Sequence, residues 1–96
     1  MTSHSMVLVF EPFQKRVIIF ESMAFMKSLY EGKLGAALRK TLRPSGMRKF
    51  ISAIGNKIPQ PKLWTIEVRH GTQKRGTKVC KQQREAFIFN YKQIVY

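Results

Sequence analysis

The sequence predicts an α+β domain: one or two N-terminal strands, two or three short helices, then a three-stranded antiparallel sheet. Three observations carry this reading. β-branched and aromatic runs stand near both ends of the chain. Apolar residues recur at helical spacing through the middle. The last third then turns to period-two alternation. At 96 residues the chain is one domain, 1–96, with room for a single modest core. A hydrophobic content of 44% supports a folded globule rather than a disordered tail.

Val7-Leu8-Val9-Phe10 and Val17-Ile18-Ile19-Phe20 read as strands. Pro12 and the polar Gln14-Lys15-Arg16 lie between them, so a hairpin is expected, with Pro12 either in its turn or on an edge. Ser22 is placed to cap a first helix, whose face is Met23, Met26, Leu29 and Tyr30, ended by Gly32. Leu34, Ala37, Leu38 and Leu42 form the stripe of a second helix, which Pro44 stops. Ser45 then caps a third, with Met47, Phe50, Ile51 and Ile54 as its apolar face and Gly55-Asn56 as its end. Ile58-Pro59-Gln60-Pro61 reads as a stiff extended connector.

From Leu63 to His70, Trp64, Ile66 and Val68 alternate with Thr65, Glu67 and Arg69, the pattern of a half-buried strand. Gly71 to Gly76 encloses Thr-Gln-Lys-Arg and reads as a basic hairpin tip. Thr77 to Lys81 reads as a weaker strand. Ala86 to Tyr96 reads as the last, with Phe87, Phe89 and Tyr91 on one face.

Charge is the most informative property. Lys plus Arg number 18 against 5 Glu and no Asp, a net +13. Between Glu31 and Glu67 there is no acid, yet the stretch holds Lys33, Arg39, Lys40, Arg43, Arg48, Lys49, Lys57 and Lys62. Soluble surfaces usually mix signs. A block of one sign repels itself, and a polyanionic partner is the usual compensation. The predicted contacts are Lys33, Arg39, Lys40, Arg43, Arg48 and Lys49 on the helices. Arg69, Lys74, Arg75 and Lys78 on the following strand and hairpin complete the set. Such cations would neutralise phosphates in a salt-dependent, largely sequence-independent way. The predicted partner is nucleic acid, with RNA or a ribonucleoprotein favoured. An acidic protein or an anionic membrane surface is the alternative. Trp64, Phe87 and Phe89 read first as core, and base stacking is their second reading.

Little else points to chemistry. His4, His70 and Cys80 are the only soft ligands and lack metal-ligand spacing, so no metal or other cofactor is expected. The glycines match no phosphate-loop fingerprint, and without Asp no Ser-His-Asp arrangement exists. His70, ending a strand beside a basic loop, is the one general acid–base candidate, with a plain turn-flanking role as the simpler reading. A lone cysteine excludes an internal disulfide and fits a reducing, intracellular, cytoplasmic setting. No apolar run is long enough for a membrane span, and no secretory signal is expected.

Two segments carry a family resemblance. Pro61-Lys62-Leu63-Trp64-Thr65-Ile66-Glu67-Val68-Arg69 resembles the strand that follows the helices in HigB-type members of the RelE/ParE toxin superfamily. Ala86-Phe87-Ile88-Phe89-Asn90-Tyr91 resembles their last strand. Together the two segments span 15 of the 96 residues. The resemblance implies metal-independent, ribosome-dependent mRNA cleavage by attack of a 2′-hydroxyl on the adjacent phosphate. Arg69 with Lys74 or Arg75 would then stabilise charge, and His70 or Tyr96 would move protons. The residues themselves read as a binding protein before an enzyme.

Overall fold

Two faces of one sheet are buried, each by a different set of helices. The computed structural model describes residues 2–22, 30–83 and 85–95. The strands are β1 (Thr2–Glu11), β2 (Arg16–Glu21), β3 (Thr65–His70) and β4 (Phe87–Val95). The helices are α1 (Leu34–Thr41), α2 (Pro44–Phe50) and α3 (Gln73–Gln82). α2 runs directly into a π-helical turn, Ile51–Gly55. The class is α+β, as the sequence predicts.

Among the described residues the sheet has four strands, in the order β3-β2-β1-β4. β1 pairs antiparallel with β2, Val9 opposite Ile18, and with β4, Leu8 opposite Phe89. Pro12 does occupy the β1–β2 turn, a 3-10 turn over Pro12–Gln14 closed by Lys15 at φ 49°. The expected three-stranded antiparallel sheet is corrected on one point of direction: β3 runs parallel to β2, Arg16 opposite Thr65. Period-two alternation is the same in either direction. The direction is set by the helical excursion, which returns the chain to the end of the sheet where β2 begins.

The larger correction is α3. Lys74 and Arg75 are not at a hairpin tip, and Thr77 to Lys81 is not a strand; both lie on this helix. Gly76 marks close packing rather than a turn. A Cβ there would sit 2.8 Å from Val7 Cγ1 and 3.1 Å from Phe20 Cδ2. The helix can therefore lie down on the sheet only at a glycine.

The larger core lies on the α1–α2 side. Met6, Leu8, Phe10, Val17 and Ile19 from the sheet meet Leu34, Leu38, Phe50, Ile54, Trp64 and Phe89. Phe50 stacks on Phe10 at 5.9 Å between ring centroids and meets Phe89 edge-on at 5.8 Å. Trp64 is buried and its Nε1 donates to the Pro59 carbonyl at 3.2 Å. Trp64 and Phe89 are therefore core, the first of their two readings. The smaller core, on the α3 side, joins Val7, Val9, Ile18 and Phe20 to Val79, Cys80, Ala86 and Ile88. Burial pushes the Cys80 thiol up from its ordinary value, away from the thiolate a nucleophile needs.

Other local expectations shift. The predicted first helix lies mostly on residues 23–29, outside the described residues; Tyr30, the last residue of its predicted face, is described and is not helical. The Ser22 hydroxyl donates to the Ser5 carbonyl at 2.8 Å. α2 begins at Pro44, with Arg43 as N-cap and no side-chain cap, so Ser45 is inside the helix rather than capping it. Proline suits this position because the first helical N–H has no intrahelical partner. Ile51 is not in the core stripe; it is 42% exposed because the chain widens there into the π turn. The extended connector is broken by Gln60, at φ 45°, and by a 3-10 turn over Pro61–Leu63.

One buried polar pair stabilises the large core from within. The Tyr30 hydroxyl donates to Glu21 Oε2, and both residues are buried. Burial, and next the Glu21 carboxylate, push the Tyr30 phenol well above its usual value of 10.0. The folded chain thus keeps a proton that the unfolded chain releases above about pH 10. Its contribution is complete below that pH and declines as pH rises further. Tyr30→Phe should cost about 1–3 kcal/mol near neutrality, because it removes a partner of a buried carboxylate. The gap between wild type and variant should narrow between about pH 8 and about pH 11. Urea unfolding of both proteins at the two pH values measures this, and a gap that widens would refute the assignment.

Candidate nucleic-acid interface

The positions of the acids decide which cations stay free. Glu11 and Glu21 are buried at opposite ends of the sheet. Arg16 Nε donates to Glu11 Oε1 at 2.7 Å. Glu67 accepts from Arg69 at 3.1 Å and pairs with Arg16 at 3.4 Å, on the α3 side of the sheet. Arg69 is therefore half-buried and neutralised inside a ladder of charges, not presented as an open phosphate contact. Glu31 and Glu85 remain as exposed acids.

The helical layer over the large core is different. Burying Leu34, Ala37, Leu38 and Thr41 turns the rest of α1 outward. Lys33 stands at its N-cap, and Arg39 and Lys40 in its last turn, where cations complement the helix dipole. Arg39 Nε also donates to the Gly35 carbonyl at 3.3 Å. Arg43 joins the helices as the N-cap of α2, and Arg48 and Lys49 end it. Lys33, Arg39, Lys40, Arg43, Arg48, Lys49, Lys57 and Lys62 are all exposed. None pairs with a carboxylate among the described residues.

A groove of about 610 Å³ lies beside α2, lined by Ser45, Arg48, Lys49, Ser52 and Ala53 with Phe89 beneath. It offers two cations and two hydroxyls from one helix face, walled by a strand. The Lys57 ammonium lies 5.9 Å over the ring of half-buried Phe87 nearby. Ser45 and Ser52 are not among the contacts that the sequence predicts. Their signal was the spacing Ser45, Arg48, Lys49, Ser52, the polar complement of the stripe through Met47, Phe50 and Ile54.

The remaining candidates lie elsewhere. Lys74 and Lys78 are exposed on α3, together with Lys81, across the sheet from α1 and α2. A groove of about 780 Å³ follows this helix. Every lining residue comes from the single segment 72–81, so no second wall fixes a ligand there. Arg75 is committed to the fold: its guanidinium lies 5.9 Å from the Phe20 ring and donates to the His70 carbonyl at 2.8 Å. The ten predicted contacts therefore divide into six on the α1–α2 layer and four on the opposite side.

Of the catalytic candidates, His70 and Arg75 are neighbours through a backbone carbonyl rather than through the imidazole. His70 is exposed, and its ring makes no hydrogen bond among the described residues. Tyr96 lies outside the described residues. No group of three His, Cys, Asp or Glu able to hold a metal ion occurs among the described residues. No helix among them is long and apolar enough to cross a membrane. Comparison with protein-family models, curated proteins and solved structures found no match.

Proposed function

We propose that the chain binds the phosphate backbone of a nucleic acid through the α1–α2 layer, with RNA the favoured partner. One observation carries this reading: eight exposed cations within residues 33–62, none offset by a carboxylate among the described residues. Holding them together raises the energy of the free protein by mutual repulsion, and a bound polyanion relieves it. Arg39, Lys40, Arg48 and Lys49 stand on helices, with Lys33 and Arg43 at their N-caps, so a backbone meets a fixed array rather than a flexible tail. RNA is favoured because single strands offer splayed bases to half-buried aromatic rings such as Phe87 beside the groove.

The test is a titration of labelled single-stranded RNA, duplex DNA and anionic vesicles at two salt concentrations. RNA should bind most tightly, and binding should weaken as salt rises. Vesicle binding that survives high salt, without RNA binding, would replace this reading with a membrane one.

A further inference from the structure

β3 forms one edge of the sheet, and the two charges it carries, Glu67 and Arg69, are of opposite sign and so do not by themselves repel a second copy. Natural edges are commonly guarded by proline, lysine or a bulge. Thr65-Ile66-Glu67-Val68-Arg69-His70 has neither proline nor lysine. Two hydrogen bonds fix which backbone groups point outward. The Thr65 N–H donates to the Lys15 carbonyl at 3.2 Å, and the Gly71 N–H to the Glu21 carbonyl at 3.4 Å. Odd-numbered residues of β3 thus face β2. Ile66, Val68 and His70 turn their N–H and C=O groups away from the sheet.

We propose that this edge binds a second copy of the chain, antiparallel, with the two-fold axis at Val68. Charge selects the register. Outward groups can meet only in registers that pair even-numbered residues. Centring on residue 67 would set Glu67 against Glu67, and centring on residue 69 would set Arg69 against Arg69. Like charges directly opposite are destabilising. Centring on Val68 sets Glu67 of each copy opposite Arg69 of the other, in a non-hydrogen-bonded pair where side chains approach most closely. It also pairs Val68 with Val68 and Ile66 with His70, using every outward group.

The side chains are ready for this. Glu67 and Arg69 are 40% and 34% exposed. Arg69 and Arg16 both engage Glu67 Oε2. Glu67 Oε1 has no partner among the described residues. Ile66 and Val68 are half-buried on the other face and gain cover from their counterparts.

The result is one eight-stranded sheet. An axis perpendicular to a sheet keeps like faces together, so both α1–α2 layers fall on one side and double the cationic surface. The inference rests on β3 alone and stands whether or not RNA binds there. Each copy carries +13, so repulsion opposes association and salt should strengthen it. Polyanion binding responds to salt in the opposite sense. So short an edge belongs with the smaller interfaces, and the dimer should form at about 10–100 µM.

Analytical ultracentrifugation of the full chain, without nucleic acid, tests this. Wild type should be dimeric at about 100 µM in moderate salt. Glu67→Lys and Arg69→Glu should each weaken self-association by about 10-fold or more, by setting like charges opposite. Mixed in equal amounts, the two variants should dimerise with each other, because each then supplies the charge the other lacks. Val68→Pro removes an outward N–H and part of a half-buried side chain, and should still be folded by circular dichroism and be monomeric. A wild type that is monomeric at that concentration overturns the proposal without any variant. A mixture of folded variants that remains monomeric also overturns it, as does a dimeric Val68→Pro.

Discussion

Reversing Arg43, Arg48 and Lys49 to glutamate should lower RNA affinity by about 100- to 1,000-fold at low salt. Each reversal removes one phosphate contact and adds a repulsion, and the three residues span the junction of α1 and α2 and the groove beside Phe89. Reversing Lys74, Lys78 and Lys81 changes net charge by the same amount on the other side of the sheet, and should cost about 10-fold or less through long-range field alone. The comparison is between equal charges in different places, so it reads position rather than net charge. Lys15 and Arg16 make a poor control, because Arg16 holds buried Glu11 and its reversal would damage the fold. Acidic residues in the last turn of α2 oppose the helix dipole, so circular dichroism should confirm that helicity persists. Equal losses from the two triplets would mean that the charge acts diffusely and that no α1–α2 interface exists.

Phe50→Ala should destabilise the fold by about 3–5 kcal/mol. The ring is fully buried and lies between Phe10 and Phe89, so it joins α2 to the two central and edge strands β1 and β4 at once. Removing it leaves a cavity that rigid strands cannot fill. Domains of this kind are stable by about 5–15 kcal/mol in total, so the variant should be marginal at body temperature. One residue on, Ile51 is largely exposed, and Ile51→Ala should cost about 0.5 kcal/mol or less. Urea unfolding of both variants measures the contrast. Similar losses at the two positions would contradict the packing of α2, and with it the outward direction assigned to Arg48 and Lys49.

Those two positions also show how far the sequence could be read. The spacing of Met47, Phe50 and Ile54 marks a helix and its buried side, and so places Arg48 and Lys49 outside. Ile51 satisfies the same spacing, but the widening into a π turn is a tertiary accommodation with no local signature. β1 and β2 carried a clue of another kind. Val7-Leu8-Val9-Phe10 and Val17-Ile18-Ile19-Phe20 do not alternate, which is how strands buried on both faces read. A second helical layer was therefore required, and α3 is that layer. It stayed hidden because Gly71 and Gly76 resemble turn residues and because Val79 and Cys80 alone give too little apolar periodicity. Gly76 is needed for its lack of a side chain against Val7 and Phe20, a demand visible only once the sheet is in place.

The site was legible in part for the same reason. A run without acids is a property of sequence, and so is the helical phase that turns its cations outward. The separation of Lys74, Arg75 and Lys78 from that group depends on which face α3 covers. The pairing of Arg69 with Glu67 is legible, since alternation sets both on one face of the same strand, but the arrival of Arg16 depends on the parallel register of β2 and β3. Neither that register nor the face that α3 covers follows from local pattern.

Binding of a nucleic-acid backbone by the cations of the α1–α2 layer is tested most directly by the salt dependence of single-stranded RNA affinity, by fluorescence anisotropy between about 50 and about 200 mM salt. The account predicts a steep linear fall of log K against log salt, with a slope of about −3 to −5 for a patch of this size, made shallower by about 2–3 in the Arg43, Arg48, Lys49 reversal. Absence of binding at the lower salt, or an affinity that salt leaves unchanged, would contradict it.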